Sequence, residues 1–264
     1  MITSRENHLI KKIYRLHTAA GRKKKGQYFI EGVRSVLQSL EAKAPVEEVV
    51  YSRQVHRIPG GGELVERLEN AGVKVVEISE SLYETITDTE NPQHIMAVIN
   101  MQEYRLEDIT AASDLLLVIV DGLQDPGNLG TIIRTADAAG VHGVVLLKGT
   151  VDPYNPKTVR STMGSVFSIP VIRENDTEGL FAGLHGLGVR LVAASPEGDT
   201  SYWDIDYRGR TGIIIGNEAN GISEIARKSS DISAVLPMIG GAESLNAAVA
   251  CGILLYKALE QRLT

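Results

Sequence analysis

The chain has little cysteine and no long apolar run, and both shortages limit the kind of protein that it can be. Cys251 is the one cysteine among 264 residues, which excludes an internal disulfide and a multi-cysteine zinc module. The longest apolar stretches, such as residues 115–120, fall far short of the roughly 20 residues needed to cross a bilayer. The polar and charged N-terminus lacks the apolar segment of a secretory signal. We therefore expect a cytoplasmic protein.

The composition is that of an ordinary globular protein with a substantial core. Hydrophobic residues make up 43% of the chain and charged residues 23%. The length fits one large domain or two modest ones, and two are favoured. The six histidines are scattered without the spacing of metal ligands, so we expect no metal site.

Positive charge is concentrated near the N-terminus, although the whole chain has a net charge of −6. Residues 1–34 have a local charge of +7, which leaves −13 on the rest. The basic side chains are Arg5, Lys11, Lys12, Arg15, Arg22, Lys23, Lys24, Lys25 and Arg34. Such a segment is typical of a site for a phosphate backbone, although a solvated helix face and a flexible loop would have the same composition.

The first hundred residues alternate between helical and strand patterns. Apolar residues recur with helical spacing from Leu9 to Ala20, and Gly21 is expected to end that helix before an exposed loop over residues 22–27. Further patterns predict strands over residues 28–30, 46–52, 73–78 and 94–100, with helices near residues 33–40, 63–71 and 82–86. We predict a small α/β domain over residues 1–105 and place the linker to the next domain at residues 101–113.

From residue 114 to the C-terminus the pattern predicts buried strands with helices between them. The strands are expected at residues 115–120, 144–149, 188–195, 211–218 and 233–238, and the helices at 128–140, 156–163 and 244–259. This alternation favours a largely parallel sheet that is covered on both faces, in a domain over residues 114–264. Ligands of such sheets bind beyond the carboxyl ends of the strands.

The first polar segment at such a strand end is DGLQDPGNLGTIIRTADAAG, residues 121–140. Asp125 or Asn128 is expected to cap the following helix. Arg134, farther along it, is suited to clamp a phosphate, or else forms a surface pair with Asp137. GxGxxG and GxxxxGK[ST] loops are both missing, which disfavours NAD and P-loop chemistry.

Two further segments follow the same pattern. In GIIIGNEANGIS, Glu218 could orient a hydroxyl or accept its proton, or merely cap the short helix that begins at Ser223. In LPMIGGAESLNAAVACGILLYKAL, Ser244 and Asn246 stand beside the backbone donors of a helix start, where capping is the simpler alternative. The helix that follows is apolar on nearly every face, which suggests packing against both its own core and a partner subunit.

The order, spacing and residue identities of these segments resemble the three motifs of the SpoU (TrmH) family of RNA 2'-O-ribose methyltransferases, in the SPOUT superfamily. The residues that carry the resemblance are NLGTIIRTADAAG, IIIGNEANGIS and LPMIGGAESLNAAVACGILLY. More loosely, KGQYFIEGVRSVLQSL resembles the substrate-binding domain of many members, a ribosomal-protein-like α/β fold.

The resemblance implies methyl transfer from S-adenosylmethionine to a ribose 2'-hydroxyl of RNA, by a homodimer whose C-terminal domain has a deep trefoil knot. It also implies which residues bind the cofactor and which are catalytic. The implied cofactor pocket is lined by Ala194, Ser195, Gly216, Leu236, Met238 and Leu245, and the implied catalytic residues are Asn128, Arg134, Glu218, Ser244 and Asn246.

These catalytic residues suit the reaction. We expect Arg134 to clamp the target phosphate and stabilise the developing alkoxide, with a role as base left open. Glu218 and Asn128 are expected to fix Arg134 and the ribose, while Ser244 and Asn246 shape the loop around them. The expected RNA contacts are Lys11, Lys12, Arg15, Arg22, Lys23, Lys24 and Lys25.

The resemblance favours ribosomal RNA, of the 23S type, over transfer RNA as the substrate. Two other functions stay open at this point. One is a non-catalytic RNA-binding factor for ribosome assembly that keeps the fold. The other is a nucleotide-dependent metabolic enzyme on an ordinary open sheet, with no affinity for RNA.

Overall fold

The computed structural model describes all 264 residues and divides into two compact units. The first unit contains residues 1–102 together with residues 154–167, and the second contains residues 103–153 and 168–264. The sequence pattern predicts one boundary between the two units, whereas the chain crosses three times. No helix is both long enough and apolar enough to span a membrane.

The predicted helices and strands are present with ends shifted by a few residues, and five further elements were not predicted, at residues 19–25, 106–109, 171–173, 177–186 and 200–201. The helices are α1 (His8–Leu16), α2 (Ala19–Lys25), α3 (Val33–Glu41), α4 (Gly61–Asn70), α5 (Glu80–Ile86), α6 (Leu106–Ile109), α7 (Pro126–Ala138), α8 (Pro156–Thr162), α9 (Thr177–Gly186), α10 (Glu224–Ser229) and α11 (Ala247–Leu263). The strands are β1 (Gln27–Glu31), β2 (Val46–Tyr51), β3 (Lys74–Glu77), β4 (Ile95–Asn100), β5 (Leu116–Val120), β6 (Gly143–Leu146), β7 (Val171–Arg173), β8 (Arg190–Ala194), β9 (Thr200–Ser201), β10 (Thr211–Ile215) and β11 (Ile232–Val235).

The first unit is a four-stranded sheet with helices on both faces. The strand order is β1-β4-β2-β3, in which β2 and β3 are parallel and the other neighbours antiparallel. One core contains α1 and α5, and the other contains α3 and α4. The segment 154–167 joins the second core through Val159, and the ring of its Tyr154 lies 4.6 Å from that of Tyr28.

The predicted end of the first helix at Gly21 is wrong. The chain turns after α1, and α2 begins at Ala19 because the Thr18 hydroxyl accepts the Gly21 amide. A side chain on Gly21 would lie 1.9 Å from the Arg15 carbonyl oxygen, so glycine permits this close turn. The residues predicted as a loop therefore lie mostly in α2, which ends at Gly26 in the left-handed conformation.

The second unit is a seven-stranded parallel sheet with the order β7-β6-β5-β10-β8-β11-β9. The predicted parallel sheet is thus confirmed. Helices α7 and α11 pack on one face, and α9 with Ala226 of α10 packs on the other. Because all strands are parallel, their carboxyl ends lie at one edge. The trefoil knot that the resemblance implies stays a prediction.

Candidate active site

The loop after β5 forms one side of the site. The Asp125 carboxylate caps α7 by accepting the Asn128 amide at 2.8 Å, and Pro126 occupies the first turn, where no amide hydrogen is needed. Of the two cap residues that the sequence allows, the cap is therefore Asp125. The side-chain amide of Asn128, in the first turn of α7, is therefore not used for the cap.

Glu218, in the loop after β10, reaches across to this helix start. Its carboxylate accepts hydrogen bonds from the Gln124 and Asp125 amides, both at 3.2 Å, and from the Asn128 side chain at 3.0 Å. Partial burial would raise the pKa of Glu218, but these hydrogen bonds outweigh it and hold the pKa below the ordinary value of 4.5. Glu218 is therefore a carboxylate at neutral pH. The helix at Ser223 is capped by Ser223 itself, so the capping alternative for Glu218 is wrong.

Asn246 brings the third segment to the same place. Its side-chain oxygen caps α11 by accepting the Ala248 and Val249 amides at 2.9 and 3.3 Å. Its amide nitrogen donates to the side-chain oxygen of Asn128 at 2.9 Å. Asn246 thus both caps the helix and joins the site. One chain of hydrogen bonds links the start of α11, through Asn128 and Glu218, to the start of α7.

Arg134, another catalytic candidate, takes no part in the hydrogen bonds among Asn128, Glu218 and Asn246. It is exposed on α7 and forms no hydrogen bond or ion pair, so the expected contacts with Glu218 and Asn128 are not made. The alternative pair with Asp137 is not formed either. Ser244 is likewise exposed and without a partner, in the loop before α11. The guanidinium is consequently available to a ligand.

The residues proposed for the cofactor lie at neighbouring strand ends. Ala194 ends β8 and Ser195 follows it, Gly216 follows β10, and Leu236 and Met238 follow β11, while Leu245 precedes α11. Ser195 is buried, and its amide donates to the Ala234 carbonyl of β11 at 3.0 Å.

The apolar side chains of these loops are open to solvent. Met238 is 36% exposed, Leu245 37% and Ile239 98%. Exposed apolar side chains at the ends of neighbouring strands fit a ligand with a flat, largely apolar ring. An adenine-bearing cofactor such as S-adenosylmethionine has that chemistry, so the residues present fit it.

Two of the seven basic residues expected to contact RNA are unavailable for it. The Lys12 ammonium is buried and pairs with Glu47 and Glu48 at 2.8 and 2.7 Å. The buried Arg22 guanidinium donates to the carbonyls of Leu16 and His17, at 2.8 and 3.0 Å. Both side chains hold the first unit together, which corrects the expectation for them.

The other five expected contacts are exposed on α1 and α2. They are Lys11, Arg15, Lys23, Lys24 and Lys25. Lys11 pairs with the exposed Glu6, and the last three lie in the final turn of α2. We call these five residues the basic surface.

Three residues that support the site were missed from the sequence. Asp121 follows β5 and Asn217 follows β10, and each side chain forms a hydrogen bond with the other loop. The backbone amide of Gln124 donates to the Glu218 carboxylate. All three lie inside the segments singled out above. Polar residues directly after buried strands are the signal that could have found them.

The fold and site define a class: a two-unit α/β enzyme with a polar site at the carboxyl edge of a parallel sheet and a basic surface on the other unit. Comparison with known proteins agrees. The model of the SpoU rRNA Methylase family matches residues 115–256, and that of the MRM3-like substrate binding domain matches residues 7–97. The chain belongs to the SpoU rRNA methylase family.

Relatives match over nearly their whole length. The 23S rRNA (guanosine(2553)-2'-O)-methyltransferase RlmP of Bacillus subtilis is 37% identical over 97% of this chain and 97% of its own. The 23S rRNA (uridine(2479)-2'-O)-methyltransferase of Streptomyces viridochromogenes is 33% identical, over 92% of this chain and 86% of its own.

Solved structures are equally similar. The AdoMet-bound rRNA methyltransferase from Sinorhizobium meliloti has a TM-score of 0.88 at 34% identity, covering 100% of this chain and 98% of its own. The SpoU methyltransferase AviRb from Streptomyces viridochromogenes, in complex with AdoMet, has a TM-score of 0.89 at 31% identity, covering 98% and 99%.

Proposed function

We propose that this protein transfers a methyl group from S-adenosylmethionine to a ribose 2'-hydroxyl of ribosomal RNA, of the 23S type, in the cytoplasm. The observation that carries the proposal is the meeting of Asn128, Glu218 and Asn246, from three distant segments, at one edge of the sheet. The relatives named for 23S rRNA 2'-O-methylation support the substrate, and two similar structures bound to AdoMet support the cofactor.

The reaction asks little of the protein beyond positioning and charge. Bound S-adenosylmethionine supplies a methyl group that its sulfonium already activates, so the proposal needs no metal ion. A ribose hydroxyl is a poor nucleophile and must be held in line with that methyl group while its proton passes to solvent water, which reaches the exposed Arg134, Glu218 and Ser244. Ala194, Ser195, Gly216, Leu236, Met238 and Leu245 would hold the cofactor.

Arg134 provides the free positive charge. Because its guanidinium has no partner in the protein, it can clamp the phosphate of the target nucleotide and stabilise negative charge that develops on the 2'-oxygen. Arginine stays protonated near neutral pH, which favours this role over that of a base.

Asn128, Glu218 and Asn246 act as positioning residues in this proposal. Glu218 already accepts three hydrogen bonds, and its lowered pKa makes it a weak base. Their linked side chains fix the starts of α7 and α11 against each other. Ser244, in the loop that precedes Asn246, is open to the ribose or the cofactor.

We further propose a homodimer through α11. Although α7 and the sheet cover one face of this helix, Val249 is 51% exposed, Tyr256 53% and Leu263 78%. With Leu245 before them, these apolar residues recur every four or seven positions and form a stripe along one helical face. A second copy of the same stripe would bury it.

Labelled methyl transfer tests the proposed function directly. The protein is incubated with methyl-labelled S-adenosylmethionine and, separately, with ribosomal RNA or transfer RNA, and the labelled positions are mapped as 2'-O-methyl groups. We expect label in ribosomal RNA. Binding of ribosomal RNA without transfer would support the assembly factor, label only in transfer RNA would change the substrate, and no affinity for RNA would favour the metabolic enzyme.

A further inference from the structure

The loop that carries Glu218 is a small closed turn. The Asn217 amide donates to the Gly221 carbonyl at 2.8 Å, and the Gly221 amide returns a bond of 3.0 Å to the Asn217 carbonyl. Glu218 is the first of the three residues inside this turn. A side chain on Gly216 would lie 2.3 Å from the Gly221 backbone, so the turn folds directly back over Gly216.

The Asn217 side chain ties this turn to the loop after β5. Its amide nitrogen donates to the Gly122 carbonyl at 2.8 Å, which crosses between the two loops. Its side-chain oxygen accepts the Ala219 and Asn220 amides at 2.9 and 3.0 Å, which shapes the turn around Glu218. The side chain of Asn217 therefore donates to the loop after β5 and accepts hydrogen bonds within its own turn.

The Gly122 carbonyl lies close to the groups that Glu218 contacts. Gln124 and Asp125, whose amides bond to Glu218, follow Gly122 by two and three residues. A second tie supports the first: the buried Asp121 carboxylate accepts the Ser223 amide at 2.6 Å. Glu218 thus belongs to the segment between Asn217 and Ser223, the two residues that bond across to the loop after β5.

We propose that Asn217 is a positioning residue for methyl transfer: its amide holds the Glu218 turn on the Gly122 carbonyl, and so keeps the Glu218 carboxylate on Gln124, Asp125 and Asn128. The hydrogen bonds of its side chain all go to backbone groups of these two loops. The inference rests on the proposed function for its effect on the reaction, but its structural part stands without it.

Asparagine is specifically required at this position, and the loop offers a matched control. Asn217→Asp keeps the shape and the acceptor for Ala219 and Asn220 but replaces the donor by an oxygen that faces the Gly122 carbonyl. Asn220→Asp adds the same charge three residues away, where the exposed side chain has no partner to lose. A difference between the two variants therefore reports the Gly122 bond and not the added charge.

Amide hydrogen exchange tests the structural part without RNA or cofactor. In Asn217→Asp we expect the Gln124 and Asp125 amides to exchange about tenfold faster, as the loss of one hydrogen bond allows. Asn220→Asp should exchange as the wild type does. Equal rates at these two amides in both variants would overturn the proposal, whether or not the protein methylates ribosomal RNA.

The pH dependence of methyl transfer tests the functional part. Asn217→Asp should lower kcat at pH 8 by about tenfold, with the same melting temperature as Asn220→Asp. An aspartic acid regains a donor when it is protonated, so the rate of Asn217→Asp relative to wild type should rise as the pH falls towards the ordinary carboxyl pKa of about 4. Asn220→Asp should show no such rise.

Asn217→Ala provides a second route if Asn217→Asp fails to fold. It removes the donor without adding charge, so the Gln124 and Asp125 amides should again exchange faster. The rate of methyl transfer relative to wild type should stay low at every pH. A purely structural role would lower the melting temperature and leave kcat unchanged for the folded fraction. That result, or a pH-independent ratio for a folded Asn217→Asp, would refute the positioning role.

Discussion

The side-chain amide of Asn246 donates a 2.9 Å hydrogen bond to the side-chain oxygen of Asn128, across 118 residues of chain. Both side chains have only one orientation that satisfies the network. The Asn246 oxygen must accept the amides of Ala248 and Val249, so its nitrogen faces Asn128. The nitrogen of Asn128 must then face the Glu218 carboxylate.

This fixed direction predicts that Asn128→Asp inactivates the enzyme. The new carboxylate would lie about 3 Å from that of Glu218, and two like charges so close disfavour the wild-type arrangement. We expect kcat to fall by about 100-fold.

Glu218→Gln in the same chain provides the control. The double variant removes one of the two charges and can restore a donor between positions 128 and 218, so it should be more active than Asn128→Asp alone. A double-mutant cycle on kcat measures this coupling. If the losses of the two single variants simply add in the double variant, the direct contact between residues 128 and 218 is contradicted.

Arg134→Ala should abolish methyl transfer without affecting folding. Because Arg134 is exposed and has no partner, its loss leaves no group unpaired, and the melting temperature should stay within about 1 °C. The labelled-methyl rate should fall by about 100- to 1,000-fold. The matched control is Arg227→Ala, which removes another exposed arginine of the same unit. Full activity in Arg134→Ala would refute its assigned role.

Reversing charge on the basic surface should weaken RNA binding. Replacement of Lys23, Lys24 and Lys25 by Glu removes three exposed positive charges from the end of α2. The slope of log K against log salt should flatten by about 2, as expected for three lost phosphate contacts on a single strand. Filter binding at several salt concentrations measures the slope. An unchanged slope would mean that RNA does not contact α2.

Lys12→Met should instead destabilise the first unit and spare RNA affinity. Glu48 is buried and would lose one of its two cationic partners, which costs about 3 kcal/mol. Burial opposes ionisation of both groups, but their hydrogen bonds prevail: the pKa of Glu48 lies below 4.5 and that of Lys12 above 10.5. Denaturant unfolding, followed beside the binding assay, measures the loss.

The sign of each shift gives the pH range of this effect. The lowered pKa of Glu48 stabilises the fold above about pH 4.5 and ceases to do so as the pH falls through its folded value. The raised pKa of Lys12 stabilises it below about pH 10.5, and that contribution is lost on further rise. The difference between wild type and Lys12→Met should therefore be greatest between these limits and shrink outside them.

Tyr256→Glu should separate the proposed dimer. The substitution places a charge in the exposed apolar stripe of α11, where a second copy would have to bury it. Sedimentation should show monomers at concentrations where the wild type is dimeric. Leu187→Glu serves as the control and should stay dimeric, because it adds the same charge at an exposed apolar residue after α9, on the other face of the sheet. A wild-type protein that is monomeric throughout would refute the dimer.

The sequence predicted most of the second unit because its strands are continuous apolar runs and its loops carry polar residues at their ends. The meeting of Asn128, Glu218 and Asn246 followed from the parallel sheet and the family motifs. That the Arg134 side chain has no partner could not be predicted, because its contacts depend on which face of α7 other elements cover.

The errors have local physical causes. Glycine usually ends a helix, but Gly21 lies inside α2 because the Arg15 carbonyl leaves no room for a side chain. Thr18 and Gly26, which cap α2 at either end, were the signals to weigh against it. Lys12 and Arg22 carry the same charge as their exposed neighbours, and only tertiary packing distinguishes them.

The division of the chain has a practical consequence for anyone who wishes to transplant its N-terminal half. A fragment cut at residue 102 would leave behind the stretch 154–167, and with it the ring beside Tyr28, the core contact of Val159 and the Arg160 partner of Asp88. Such a fragment would expose the apolar surface that this stretch covers. A graft that exchanges the first unit between relatives must therefore carry two stretches of sequence.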